Sequence, residues 1–472
     1  MHALLRLPMT LRQVASDLLL TRTLTADDAR GLLADDSATQ HLRTRPVSRQ
    51  GRRLWKLMGI IGLLISCGGL LFSKRPAANY NPSTPHEDHI LHVLLPTRLH
   101  QLETCRTILS GAALNYPNPW AISWIADVDA DGKDIGGDLA KLESILAFLE
   151  YQEPVRNDDI VIVLANPRSW FQVRPEVLLK RYRSIQQERQ RQSLRQNASR
   201  ELYELQHVKS KIVLSVEKKC LSKEGADCLP VQAEDNTPRF VSHNFVLGPV
   251  QELRLLYRDA VAEAKGLEDH HSSFDEHSVF ARLYSTLQHV NSAPRDYTLG
   301  LDLVDRLSFA ANSDVSSAKR LTASSEADVS FWAHKSTSGL TEDISKSEPP
   351  FRSSFGISRK GWRDVPLLTP KKAATVPAIV QHSSAYDPNA SQAWFEHLWF
   401  HPHGRKLVQS YLASPRTPLS SFVDSDGIQQ RFYGSHTGGV AAVAADSELH
   451  PWSEICEAKD FTSSLFADGT AT

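Results

Sequence analysis

The segment IVIVLANPRSWFQVRPE, residues 160–176, decides the fold of this chain. It begins with five apolar residues, Ile160–Leu164, of which four are β-branched. Such a run is typical of a central strand that is buried on both faces of a parallel sheet. Pro175 then begins a helix, because proline suits a first helical turn. Residues that follow a strand of this kind line the ligand crevice of an α/β sheet, so residues 165–168 are predicted to face a cleft.

Strand and helix patterns alternate on both sides of this segment. The predicted strands are 90–95, 120–126, 160–164, 211–216, 240–247, 297–301 and 378–381. The predicted helices are 98–114, 139–151, 175–207, 250–265, 278–289 and 393–412, the last broken near Pro402. This alternation predicts an α/β, Rossmann-like domain with a mostly parallel central sheet.

An uncharged segment near the N-terminus predicts a membrane anchor. The chain has 472 residues and a formal net charge of −1, so its overall charge gives no attraction to nucleic acid. Residues 57–72, LMGIIGLLISCGGLLF, contain no charged side chain. Together with residues 54–56 they form a helix of about 27 Å, which is long enough for a thin bilayer. A transmembrane helix is therefore predicted, with a buried core helix as the alternative.

The charges beside the apolar segment predict its orientation. Six arginines and lysines lie between residues 43 and 56, whereas only Lys74 and Arg75 follow closely on the other side. The positive-inside rule then places residues 1–56 in the cytosol and the rest of the chain in the lumen. A cleaved signal peptide is disfavoured, because 56 residues precede the apolar run. These features predict a single-pass type II protein of the Golgi or endoplasmic reticulum membrane.

The predicted luminal part consists of a stem, a domain and a tail that differ in composition. Residues 73–89 are predicted to form a stem and residues 90–412 the α/β domain, with a loop or insertion at 312–349. The tail, residues 413–472, is predicted to be weakly structured.

Cysteines and glycosylation sequons fit an oxidising compartment. Four of the five cysteines lie in the predicted luminal part, which is an even number. Cys220 and Cys228 enclose a short turn-like stretch and are predicted to form a disulfide, with two free thiols as the alternative. Asn197 and Asn389 each begin an acceptor sequon, so both are candidate glycosylation sites.

Several segments, taken in order, resemble the luminal domain of fungal type II membrane glycosyltransferase-like proteins. They include HILHVLLPTRLHQLETCRTILSGAALNYPNP (89–119), GGDLAKLESILAFL (136–149), DDIVIVLANPRSWFQVRPEVLLKRY (158–182), RFVSHNFVLGPVQELR (239–254), DYTLGLDLVDRL (296–307), WRDVPLL (362–368) and PAIVQHSSAYDPNASQAWFEHLWFHPHGR (377–405). The resemblance covers roughly residues 89–412. It implies the A-type fold of nucleotide-sugar transferases, similar to the enzymes that add glucose and galactose to hydroxylysine. It also implies a UDP-linked sugar donor and a glycan or glycoprotein acceptor.

The resemblance also implies where a metal would bind. In this family the third strand ends in an Asp-x-x-Asp element, whose carboxylates hold the divalent cation that neutralises the leaving diphosphate. Here Ala165 and Arg168 occupy those two positions. One substitution removes a ligand and the other adds a permanent positive charge, so a divalent metal is doubtful. Arg168 is instead a candidate to pair directly with the diphosphate, and the alternative is a surface arginine.

Five further residues gain candidate roles from the resemblance. Asp275 is the candidate base for an acceptor hydroxyl, although a helix N-cap is an equal alternative. Lys141, Ser242 and His243 are predicted to contact the substrate, with a solvated helix lysine as the alternative for Lys141. His382 matches a metal-ligating histidine of the family, but a single histidine does not hold a metal.

Two functions from different classes remain open. One is an active glycosyltransferase of the secretory pathway that works without the usual metal site. The other is a catalytically inactive homologue that binds a glycan, a nucleotide or a partner transferase. A membrane-tethered scaffold is a third hypothesis, and the sequence leaves the oligomeric state open.

Overall fold

Strands and helices alternate through most of the domain, as the sequence predicts. The computed structural model describes residues 86–97, 101–122, 127–128, 134–135, 137–152, 155–196, 211–220, 230–232, 238–269, 275–288, 296–311, 314–334, 340–351, 361–372, 375–382, 388–413, 418–423, 427–435, 439–443, 449–456 and 465–469. The strands are β1 (His86–Pro96), β2 (Trp120–Ile122), β3 (Asp127–Val128), β4 (Asp134–Ile135), β5 (Ile160–Leu164), β6 (Ser169–Phe171), β7 (Ile212–Glu217), β8 (Pro230–Gln232), β9 (Pro238–Pro249), β10 (Leu299–Leu301), β11 (Ser308–Ala311), β12 (Ala318–Leu321), β13 (Leu367–Pro370), β14 (Ile379–His382), β15 (Ser420–Val423), β16 (Gln429–Gly434), β17 (Val440–Val443) and β18 (Leu449–Pro451). The α-helices are α1 (Leu102–Ala113), α2 (Gly137–Tyr151), α3 (Pro175–Gln196), α4 (Val250–Asp269), α5 (Glu276–Gln288), α6 (Glu326–His334), α7 (Glu342–Ser345), α8 (Pro388–Glu396), α9 (Gly404–Leu412) and α10 (Trp452–Ile455).

The central sheet is mixed, whereas a mostly parallel sheet was expected. Among the described residues it has eleven strands, with the principal order β10-β7-β9-β5-β1-β2-β17-β18. Strand β1 pairs in parallel with β5, β2 and β16. Strand β9, however, runs antiparallel between β5 and β7. Two further antiparallel pairs, β15–β16 and β17–β18, come from short C-terminal connections, which cannot make the long crossover that parallel pairing requires.

Strand β5 is buried on both faces, which explains its uninterrupted apolar run. Its residues Ile160, Ile162 and Leu164 belong to one core, which also contains residues of α1, α3, α8 and α9. The alternate residues, Val161 and Val163, belong to a second core with residues of α2, α4 and α5. Because successive side chains point to opposite faces of a strand, the sheet is covered by helices on both sides.

The C-terminal segment differs from the prediction for residues 413–472. Instead of a weakly structured tail, the described part of this segment adds four strands to the main sheet. Strand β16 pairs with β1 in parallel, from His86 opposite Gln429 to Leu91 opposite Gly434. Strand β17 likewise pairs in parallel with β2. Both parallel partners lie more than 300 residues away in sequence, so local sequence patterns carry little sign of this pairing.

A disulfide fastens this C-terminal segment to the start of the domain. Cys105 in α1 is bonded to Cys456, just after α10, across a sequence separation of 351 residues. Spacing along the sequence could not identify this pair, because only the fold brings the two cysteines together. Cys220 is also disulfide-bonded, and its predicted partner Cys228 lies outside the described residues.

Residues 312–349 were predicted to be a loop or insertion. Their described part instead contains β12 and the helices α6 and α7, and β12 pairs antiparallel with β13. A further sheet has three strands in the order β11-β14-β6. Two of these strands closely follow main-sheet strands in sequence: β6 comes after β5, and β11 comes after β10.

Several predictions concern residues outside the described part of the chain. They are the cytosolic segment 1–56, the transmembrane helix 57–72, most of the stem 73–89, and the sequon at Asn197. None of the helices that the structure describes combines the length and apolar character needed to cross a bilayer. The sequon residue Asn389 lies exposed in the first turn of α8.

Candidate functional site

The candidate site lies where several main-sheet strands end together. Strands β1, β5 and β7 run in the same direction, because β9 is antiparallel to both β5 and β7. The turn at residues 165–168 follows β5 directly, and Glu217 is the last residue of β7. The next strand after the turn, β6, begins the smaller sheet at Ser169. Ligands of α/β sheets bind at this carboxyl edge, as the sequence predicted for residues 165–168.

The turn is fixed by hydrogen bonds at nearly every backbone polar group. Five of the six bonds join the turn to other elements, so the turn is held independently of any ligand. The bonds run from Ala165 N to Asn244 O (3.1 Å), from Lys141 Nζ to Ala165 O (3.0 Å), from Ser169 Oγ to Asn166 O (2.7 Å), from Thr107 Oγ1 to Pro167 O, from Arg168 N to Asn166 Oδ1 (2.9 Å) and from His382 N to Arg168 O (2.9 Å).

Asn166 joins the two sheets at this point. Its side chain is buried, its Oδ1 accepts the Arg168 backbone N–H, and its Nδ2 donates to His382 O at 2.7 Å. The end of β5 is therefore tied to the end of β14 through one amide. This arrangement leaves the turn little freedom to change its shape.

Arg168 contrasts with the saturated backbone around it. The residue is half-buried, and its Nη1 is buried with no hydrogen-bond partner among the described residues. A buried charged donor without an acceptor is costly, and a guanidinium pairs well with phosphate or carboxylate oxygens. The geometry therefore presents an anion-seeking group at the carboxyl edge of the sheet.

Strand β9 contains a bulge beside the turn. Ser215 of β7 is opposite Ser242, whereas the preceding residue of β7 is opposite Val246, which places residues 243–245 between two paired positions. The Ser215 hydroxyl bridges the bulge: it donates to Ser242 O and accepts from the Phe245 N–H, both at 3.2 Å. Bulges of this kind redirect side chains and are frequent next to functional sites.

The bulge directs His243 into a buried charge cluster. Glu276 Oε2, in the first turn of α5, accepts from Lys141 Nζ at 2.7 Å and from His243 Nε2. The three residues are 4–9% exposed. Burial alone raises the pKa of Glu276, but the charges of Lys141 and His243 outweigh it and lower the pKa to about 2. The His277 ring lies 4.4 Å from the His243 ring, and burial, with His243, holds its pKa well below the usual value.

Three predicted site residues lie at this edge with contacts of their own. Asp275 Oδ1 accepts the Ser278 N–H at 2.8 Å, which is the N-cap arrangement given above as the alternative for this residue. Ser242 is fully buried, and its Oγ accepts from the Asn244 N–H at 3.3 Å. His382 is also fully buried, and its backbone is bonded to the turn.

The structure adds Glu217, which the sequence analysis did not select. It is 5% exposed, and its Oε1 accepts from Asn244 Nδ2 at 3.1 Å. Burial raises its pKa to about 7 and the charge of Asp305 adds to the rise, against the opposing effect of the Asn244 hydrogen bond. A glutamate that ends the buried strand IVLSVE is a polar residue at a carboxyl edge, and this signal was available in the sequence.

The donor groups near the turn do not fit a divalent cation. Residues 165–168 offer no carboxylate, and Glu276 is already bound to Lys141 and His243. Within the described ranges, no three His, Cys, Asp or Glu side chains are grouped so that they could hold a metal ion.

Comparison with known proteins does not identify a family. No protein-family model matches the chain, and no curated protein matches it. The fold class alone does not determine function, so the function is argued from the site.

Proposed function

We propose that this protein binds the diphosphate of a nucleotide sugar at the carboxyl edge of its main sheet, through Arg168. The observation that carries this proposal is the buried Nη1 of Arg168, which has no hydrogen-bond partner among the residues that the structure describes, on a turn with hydrogen bonds at nearly every backbone polar group. Because the turn is already ordered, binding does not cost the conformational entropy of ordering it. The diphosphate oxygens would accept the hydrogen bonds that the Arg168 guanidinium lacks among the described residues. The UDP-linked donor comes from the resemblance noted in the sequence and is part of the proposal.

The function best supported is that of a non-catalytic, A-type transferase homologue. The proposed likeness to that fold is supported by the α/β sheet, in which the buried strand β5 leads directly into the turn at residues 165–168. The acids that would hold a metal are replaced by Ala165 and Arg168, and the candidate base Asp275 accepts a helix-capping bond. Binding of a nucleotide sugar, with a glycan or glycoprotein partner, needs neither group.

An active transferase is the second candidate, and Glu217 favours it. A buried carboxyl with a pKa of about 7 is matched to accepting a proton from a sugar hydroxyl near neutral pH. In this case Arg168 would supply the positive charge that stabilises the leaving diphosphate. Release of UDP from UDP-glucose or UDP-galactose in the presence of a glycan acceptor, and its loss in Glu217→Gln, would favour this candidate over the first.

The proposed location is the lumen of the early secretory pathway, with residues 57–72 as the anchor. The Cys105–Cys456 disulfide is consistent with an oxidising compartment. Protease treatment of sealed microsomes tests the topology. Protection of the domain from residue 86 onward is expected, and its digestion without detergent would contradict a luminal location.

Thermal-shift titration tests the binding proposal. UDP, UDP-glucose and UDP-galactose are added to the protein in EDTA and, separately, in Mn²⁺. We expect stabilisation in EDTA that disappears in Arg168→Gln and persists in Arg363→Gln, a matched change at an exposed arginine. Stabilisation that requires Mn²⁺, or that is unchanged in Arg168→Gln, would contradict it.

Restoring the missing acids tests the placement of the site. The double substitution Ala165→Asp with Arg168→Asp returns two oxygen ligands to the end of β5. It is expected to make UDP binding dependent on Mn²⁺. If neither Mn²⁺ nor UDP affinity responds to the double substitution, the turn is not the diphosphate site.

A further inference from the structure

One carboxylate oxygen holds two segments of the candidate site at once. Glu276 Oε2 accepts from Lys141 Nζ, which also donates to Ala165 O of the turn. The same oxygen accepts from His243 Nε2, which belongs to the β9 bulge. The turn and the bulge are therefore fastened to a single atom in the first turn of α5.

A second bond closes this arrangement into a ring. Ala165 N donates to Asn244 O, and Asn244 follows His243 directly in the bulge. The ring thus passes from the turn through Lys141 and Glu276 to the bulge and back to the turn. The ring holds residue 165, three residues before Arg168, through both its N–H and its carbonyl oxygen.

We propose that Glu276 is a positioning residue that sets Arg168 for anion binding by fixing the turn against the bulge. This role rests on the proposed function, because it concerns the same anion. It also explains the buried location of the ionic cluster. Lys141 and His243, which the sequence suggested as substrate contacts, act on the ligand through the turn and the bulge.

The burial of the cluster determines which variants are informative. Removing Glu276 alone would leave the Lys141 charge buried without its partner, and such changes often prevent folding. Replacing both charges by apolar side chains of similar volume is often tolerated. The informative variant is therefore the double substitution Lys141→Met with Glu276→Leu, which keeps the core filled and removes the bonds to the turn and the bulge.

The test measures UDP affinity by calorimetry in EDTA, well below the melting temperature of each variant. The double substitution is expected to weaken UDP binding about tenfold, the lower range for loss of a charge-assisted hydrogen bond. Added to Arg168→Gln, it is expected to cause no further loss, because both changes remove the same contact. Asp159→Asn, a change to a buried, hydrogen-bonded carboxylate at the opposite end of β5, is the control and should leave affinity unchanged.

A milder pair of variants covers the case in which the double substitution does not fold. His243→Leu removes one arm of the ring, whereas His243→Gln keeps a side-chain donor for Glu276. Weaker UDP binding in His243→Leu with recovery in His243→Gln is expected. Equal affinity in both variants would overturn the positioning role.

The outcomes separate this role from the binding proposal. If the wild-type protein does not bind UDP, or Arg168→Gln binds it equally well, the proposed function fails and the positioning role fails with it. If Arg168→Gln loses binding but the Lys141→Met, Glu276→Leu variant binds like wild type, only the positioning role is overturned. A loss that adds fully to that of Arg168→Gln would overturn it as well.

Discussion

The two ends of strand β5 carry buried charged groups in opposite situations. At its amino end, both carboxylate oxygens of Asp159 accept backbone N–H groups, from Ile90 at 2.8 Å and Arg156 at 2.9 Å. At its carboxyl end, Arg168 Nη1 is buried with no partner among the described residues. The strand between them is about 17 Å long. The bonds at the amino end are complete without a ligand, whereas at the carboxyl end the proposed ligand would supply the acceptor for Arg168 Nη1.

The amino end shows how complete such a network can be. His92 Nε2 lies 3.3 Å from Asp159 Oδ2, and Trp120 Nε1 donates to His92 Nδ1 at 3.2 Å. The tryptophan bond assigns the acceptor role to Nδ1, so Nε2 carries the proton that faces Asp159. Burial raises the pKa of Asp159, but its hydrogen bonds outweigh burial and lower the pKa below the usual value. The group stays ionised and holds β1 beside β5.

The largest effect is expected from breaking the amino end. Asp159→Ala should lower the free energy of unfolding by about 4 kcal/mol, because it leaves buried donors unpaired. Urea denaturation measures this change, and calorimetry with UDP should show an unchanged affinity for the folded protein.

The neighbouring Asp158 provides the control for this change. Its side chain is 56% exposed and pairs with His89. Asp158→Ala should therefore alter stability by less than about 1 kcal/mol. Similar losses of unfolding free energy in both variants would show that the buried hydrogen bonds of Asp159 contribute no more to stability than an exposed ion pair.

The next effect distinguishes the carboxyl edge of the sheet, where Glu217 ends β7, from the amino end of β5 by its dependence on pH. Because the folded-state pKa of Glu217, about 7, lies above its ordinary value of 4.5, the folded protein binds the proton more tightly. The resulting stabilisation is complete below about pH 4.5 and is lost as the pH rises through 7. It amounts to about 3 kcal/mol. Urea denaturation from pH 4.5 to 8 should show this decline in wild type relative to Glu217→Gln.

Asp159 should show the opposite trend. Its folded-state pKa is lowered, so its contribution is present above its usual pKa and is lost as the pH falls toward acid. A Glu217→Gln variant that declines with pH as steeply as wild type would contradict the assignment of the raised pKa to Glu217.

The smallest effect on stability is expected at Arg168. Arg168→Met keeps much of the apolar stem but removes the unpartnered donor. Its free energy of unfolding should equal that of wild type or exceed it by about 1 kcal/mol. A clear loss of stability in urea denaturation would mean that Arg168 has a structural partner, and the contrast between the ends of β5 would disappear.

Local sequence patterns predicted the parts of the fold that local physics determines. The buried strand Ile160–Leu164 and the helix that starts at Pro175 are both present. The break near Pro402 is also present, as a 3-10 turn between α8 and α9. Apolar runs and proline act within a few residues, so one segment of sequence is enough to reveal them.

Long-range pairing was not predictable in this way. The antiparallel position of β9, the parallel pairing of β16 with β1 and the Cys105–Cys456 disulfide each join segments that are distant in sequence. At the site, Glu276 was missed because its neighbour Asp275 was selected as the acid. The sequence does not show which of the two carboxylates is bonded to Lys141. That choice depends on the folded chain, in which the β9 bulge also directs His243 toward Glu276.

The decisive measurement is calorimetric titration of the wild-type protein and Arg168→Gln with UDP-glucose in EDTA. We expect measurable binding by wild type without a metal. In Arg168→Gln we expect a loss of affinity of at least about tenfold, with unchanged stability of the free protein. Equal affinity in the two proteins, or binding by wild type only when Mn²⁺ is added, would contradict the binding proposal.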